Sequence, residues 1–123
     1  MKVKSSIVNP FHKLGEEYIV YAVAVWNDGE VRYCISLEWF NDKGEKLSKD
    51  MDWSEAPSFI VVDPAVPVDW ECHVYDHKFV RLLLGPSFIT ESVEAYLKLV
   101  EREKEQMTKF REYIHHLNDT HEE

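Results

Sequence analysis

An α+β fold is predicted: an antiparallel meander of about five or six strands, followed by one long C-terminal helix packed on the sheet. Three features carry this expectation. Residues 31–39, VRYCISLEW, alternate with period two, the repeat of a half-buried strand. Asp28-Gly29 separates that run from the apolar run 18–26, YIVYAVAVW, and Asp-Gly is a strong hairpin signal. Beyond Thr90 the period changes: Val93, Val100, Met107 and Ile114 recur at a spacing of seven, with no Gly or Pro from 87 to 123, as in a long helix with one apolar seam.

Each element follows from local chemistry. A two-residue Asp28-Gly29 turn sets Trp26 against Val31, Ala24 against Tyr33, Ala22 against Ile35 and Val20 against Leu37, all on the core face. The small Ala22 and Ala24 leave room for a helix close over the strand. The other face, Ile19, Tyr21, Val23 and Val25, is also apolar and requires cover, expected from elsewhere in the same chain. A second turn at Asn41-Asp42-Lys43-Gly44 leads into a short strand around Glu45–Leu47, and residues 50–57 read as loop. SFIVV at 58–62 is a strand that Pro64 and Pro67 end, because proline cannot donate to a ladder. Strands near 69–75 and 78–84 meet at a turn around Asp76-His77, and Gly85-Pro86 closes the sheet.

The helix is expected over about 90–118, with Thr90 as N-cap and Glu91 and Glu94 in its first turn. At 1.5 Å per residue it would run about 43 Å, longer than a compact domain of this size, about 35 Å across. The polar stretch Glu101–Gln106 is where it would break, but strong helix formers there favour continuation. Met107, Phe110, Ile114 and Leu117 would then overhang the sheet as an exposed stripe. The cheapest cover is the same stripe on a second chain, in a homodimer.

The chain of 123 residues fits one domain, 1–123, with the sheet over about 16–84. It needs no disulfide or metal at that size. No apolar run follows the basic residues of the N-terminus, and no window is apolar enough for a membrane span. Cys34 and Cys72 are expected to be free and reduced, and the protein cytoplasmic. The net charge is −9, of which residues 50–77 supply −7, since they hold seven acids and no Lys or Arg. That segment would repel nucleic acid and steer a basic protein partner.

Catalytic signatures are missing. The four glycines form no phosphate-cradling loop, and no nucleophile elbow occurs, which weighs against an enzyme. Cys72, His73, Asp76 and His77 have metal-ligand chemistry. On one strand, however, His73 and His77 would stand roughly 13 Å apart, so no metal or other cofactor is expected. The acids of 50–77 do not single out a catalytic pair.

What remains is a binding surface. Trp53 and Trp70 lie among Asp50, Asp52, Glu55, Asp63, Asp69 and Glu71, an arrangement suited to aromatic anchors with a charged rim. The competing reading makes both indoles core residues. The acids are expected to form one surface patch. In size, charge and lack of catalytic signatures the chain resembles the small acidic immunity proteins with which bacteria neutralise basic toxin domains. That resemblance implies a non-catalytic inhibitor of a basic protein. The alternatives are a homo-oligomeric structural or adaptor subunit, or a carrier of a small apolar ligand.

Overall fold

A computed structural model describes residues 1–7, 14–40, 43 and 46–122. Among these the chain forms eight strands: β1 (Lys2–Ser5), β2 (Glu17–Ile19), β3 (Ala22–Trp26), β4 (Val31–Phe40), β5 (Lys46–Glu55), β6 (Phe59–Asp63), β7 (Glu71–Val74) and β8 (Val80–Gly85). Three helices follow: α1 (Ser87–Thr90), α2 (Val93–Val100) and α3 (Lys104–Glu122). The strands make two antiparallel sheets, β2-β1-β6 and β5-β4-β3-β8-β7. The helices cover one face of the larger sheet and the smaller sheet covers the other. The α+β class is thus as predicted, with two sheets in place of a single meander. No helix among the described residues is long and apolar enough to cross a membrane.

The β3–β4 hairpin forms where the Asp-Gly signal places it, but its register differs by one residue. Trp26 N–H donates to Glu30 O and Gly29 N–H to Trp26 O, both at 2.9 Å, and Gly29 has φ 90. The loop is therefore the three residues Asn27–Gly29, with the glycine in the left-handed region. Ala22 pairs with Cys34, Val23 with Tyr33 and Val25 with Val31. Each strand alternates as expected, but the one-residue shift pairs Ala22 and Ala24 with Cys34 and Arg32 and not with Ile35 and Tyr33. Ala22 and Ala24 share the helix-facing core with Cys34. Ile35 and Leu37 turn instead toward the smaller sheet. All five are buried.

The run 18–26 also divides between sheets. Val20 N–H donates to Met1 O, while Tyr21 N–H donates to Cys34 O, so the chain passes from the small sheet to the large one at this step. The cover that the second apolar face needs comes from within the chain. Val3 of β1 and Phe59 of β6 close over Val20, Val23, Ile35 and Leu37.

Two expectations are corrected. Residues 50–55 are not loop: β5 pairs with β4 from Lys46 to Glu55. Met51 is buried and alternates along the strand with Asp50 and Asp52, a period-two pattern that the density of acids obscured. The turn expected at 41–44 lies outside the described residues, apart from Lys43.

The long helix is the second correction. It breaks at Glu101–Glu103, with Arg102 at φ 61. Glu103 N–H reaches Lys98 O and Arg102 N–H reaches Leu99 O, both at 3.0 Å. This is a Schellman ending with arginine where glycine is usual. The Arg102 guanidinium donates to Met51 O on β5 at 3.1 Å. Ser92, not Thr90, caps α2, its hydroxyl accepting from Ala95 N–H at 3.0 Å. The turn folds α3 back, so Tyr96 and Leu99 of α2 and Met107, Phe110 and Tyr113 of α3 fill one core. Met107 and Phe110 are buried, and Ile114 and Leu117 pack half-buried against the same core. The overhanging stripe therefore does not exist. With it goes the reason for a second chain over these four residues. The seam position that does reach solvent is Val100.

Candidate functional site

The acids of 50–77 divide between β5, which holds Asp50, Asp52 and Glu55, and the stretch from β6 to just past β7, which holds Asp63, Asp69, Glu71 and Asp76. β5 and β7 are opposite edges of the five-stranded sheet, four inter-strand spacings or roughly 19 Å apart. The topology thus places Asp50, Asp52 and Glu55 at one edge of the large sheet and Glu71 at the other. Asp50 lies on β5 opposite Leu37. Asp52, opposite Ile35, is half-buried and accepts a hydrogen bond from the Ser54 hydroxyl. Glu55 stands opposite Arg32, 3.9 Å from a guanidinium that Glu30 holds at 2.7 Å. Trp53 lies opposite Cys34 and meets the Tyr96 ring edge-on, centroids 5.1 Å apart. Its buried indole N–H has no hydrogen-bond partner among the described residues. Asp52 and Glu55 are thus engaged with neighbours on the sheet and Trp53 with α2.

The second group lies along one stretch of chain, from β6 through the connector 64–70 to β7. β6 is an edge of the small sheet and β7 an edge of the large one. Asp63 ends β6 and accepts Ala65 N–H at 3.0 Å, which sets the connector's first turn. Trp70 N–H donates to Pro67 O at 3.1 Å, closing a second turn. Trp70 itself is half-buried against the inter-sheet core, and its indole donates to the Tyr113 hydroxyl at 2.8 Å. The connector is therefore pinned to α3. Asp63, Asp69, Glu71 and Asp76 are all exposed.

Both candidate tryptophans lean into the core, so the aromatic anchors expected for a partner are not displayed. In their place stand aliphatic residues that sequence reasoning missed. Ile60, Val61 and Val62 on β6, Val66 and Val68 in the connector and Val74 on β7 are exposed, Val68 completely and Val74 at 73%. The prolines at 64 and 67 were the available signal, since proline favours sheet edges.

His77 Nδ1 accepts the N–H groups of Phe79 and Val80 at 3.1 and 3.3 Å, organising the β7–β8 turn. No three His, Cys, Asp or Glu side chains gather as a metal site among the described residues. A cleft of about 490 Å³ between α2 and α3 is lined by charged side chains such as Glu94, Lys98 and Lys109, not by the apolar walls a lipid-like ligand would require. Burial pushes Tyr21 and Tyr113 up to about 12. Comparison of the chain with protein-family models finds no match, and none of the curated proteins or solved structures is significantly similar to it.

Proposed function

We propose that this chain is a protein-binding module for a basic protein partner, of the acidic inhibitor type, and that it docks through β6, the connector 64–70 and β7. The observation that carries the reading is the mixture on that stretch: exposed aliphatic side chains among three acids, Asp63, Asp69 and Glu71, in a segment with no Lys or Arg. Apolar contact supplies affinity there, and the surrounding negative charge steers encounter. Bases border the stretch on β1, where Lys2 stands opposite Asp63 and Lys4 opposite Ile60, and on β8, where Arg81 stands opposite Tyr75.

The test separates the two acidic groups. Capture from source lysate at low and high salt is compared for the wild type, a variant with Asp63→Lys, Asp69→Lys and Glu71→Lys, and a variant with Glu55→Lys alone. The expected outcome is a basic protein retained by the wild type and by Glu55→Lys, lost from the triple variant, and released at high salt. Retention that is indifferent to the triple reversal sinks this assignment of the face.

A further inference from the structure

The side chains of this face mark where a partner sits, and the backbone of β7 specifies how. Tyr75 N–H donates to Arg81 O at 2.7 Å, which marks that pair as hydrogen-bonded. The ladder continues without irregularity through Val74↔Leu82, His73↔Leu83, Cys72↔Leu84 and Glu71↔Gly85. In an antiparallel ladder, hydrogen-bonded and non-hydrogen-bonded pairs alternate. His73 and Glu71 therefore bond inward to β8, while the N–H and C=O groups of Cys72 and Val74 point to the open side. Glu71–Val74 contains no lysine, proline or bulge; its length of four residues and the Glu71 charge guard it against pairing with a like-charged edge and leave it open to a basic strand. The β6 edge is less suited, because its ladder is irregular between Lys2 and Val3 and the lysines of β1 stand beside it.

Resting on the protein-binding reading, we infer that β7 accepts an extended segment of the partner as an additional strand, one in which basic residues alternate with apolar ones. The pleat dictates that alternation. Residues of the incoming strand on the side of Glu71 meet a carboxylate, with Asp69 and Asp76 beyond the two ends of β7. Residues on the other side meet the exposed Cys72 and Val74. A second copy of this chain fits the edge badly, since it would bring Glu71 and a net charge of −9 against the same charges.

Amide exchange in the full chain tests the mode. The probe is a short acetylated peptide alternating lysine and valine, with a glutamate–valine peptide as its counterpart. The lysine–valine peptide is expected to slow exchange at Cys72 and Val74 and to leave His73, already bonded to β8, unchanged. The glutamate–valine peptide should do neither. Val74→Pro removes an outward N–H and spares the β8 ladder, and should weaken binding by about tenfold or more. Two results overturn strand addition: a peptide that protects neither amide, or affinity undiminished in Val74→Pro. Both leave the partner-binding face standing, because only the triple charge reversal tests that face. Sedimentation of the chain alone as a dimer, with the Val74 amide protected, would assign the edge to a second copy and also refutes the inference.

Discussion

Two cysteines with the same side chain have opposite fates in this fold. Cys34 is completely buried between sheet and helices, and burial, with Asp52 adding to it, pushes its thiol well above the usual value. Cys72 is exposed on β7. A thiol reagent should therefore modify one cysteine in the native protein and both after unfolding, because the thiolate is the reacting species and must be accessible. Peptide mapping after a timed pulse identifies which. Native labelling at Cys34 would contradict the packing. The tyrosines make a second prediction. Tyr21 and Tyr113 have ordinary values of 10 and are raised to about 12, chiefly by burial. A raised acid contributes stability that is intact below its unfolded value, and this is lost as pH climbs toward the folded one. Stability should thus decline between about pH 10 and pH 12, and Tyr113→Phe should flatten that decline in denaturant titrations. None of these fates was legible in the sequence. Period two sets Cys34 on the face of β4 opposite Ile35 and Leu37, beside the polar Arg32 and Ser36, and only the second buried layer makes both faces of that strand interior.

The elements that were legible are those with one strong local signal. The Asp-Gly hairpin and the period of 31–39 place β4 at nearly its true position, whereas the run 18–26, expected as one strand, is split between β2 and β3 of different sheets. The hairpin's register was not recoverable, because glycine in the left-handed region serves a three-residue loop as well as a two-residue one. β5 was hidden by its charge, and the break in the long helix by its good helix formers. That break is decided by tertiary packing: a straight helix cannot deliver Tyr96 and Phe110 to the same core. Arg102, at φ 61, allows a sharp comparison. Arg102→Gly and Arg102→Val lose the same guanidinium contact with Met51 O. The valine variant should be less stable than the glycine variant by about 1–2 kcal/mol, because only glycine occupies the left-handed region without strain. Were the helix continuous at this point, the order would reverse, since glycine is the poorer helix former. Thermal denaturation of the two variants side by side decides it.

In the whole molecule, three layers share one central sheet. The excess charge lay on the expected segment, but the topology sends part of it to β5 and part to the stretch from β6 to β7. Linear charge counting sees density along the chain and is blind to which strands become edges. For the same reason the exposed valines escaped notice: a valine in a strand pattern reads as core unless the strand is known to end a sheet. The comparison of Glu55→Lys with the reversals at 63, 69 and 71 follows from this division, since only the second group borders the exposed aliphatic residues. Kinetic measurement should find the loss mainly in association, as expected when charge steers encounter more than it holds the complex.

β1, pairing with β2 on one side and β6 on the other, has a consequence for the order of events in folding. Lys2–Ser5 waits for partners at 17–19 and at 59–63, whereas β3, β4 and β5 follow one another as neighbouring strands. Closing the long loop to β6 costs chain entropy before any contact is gained. The hairpins of the large sheet therefore assemble first, and the small sheet docks onto them late. Val3→Ala, which empties a fully buried position, should mainly accelerate unfolding, while Ala22→Gly in β3 should mainly slow folding. A chevron analysis in which Val3→Ala slows folding as much as it destabilises would reverse this order. During synthesis β1 gains its second neighbour only once β6 has emerged, so the partially synthesised protein presents an unsatisfied strand to whatever it meets.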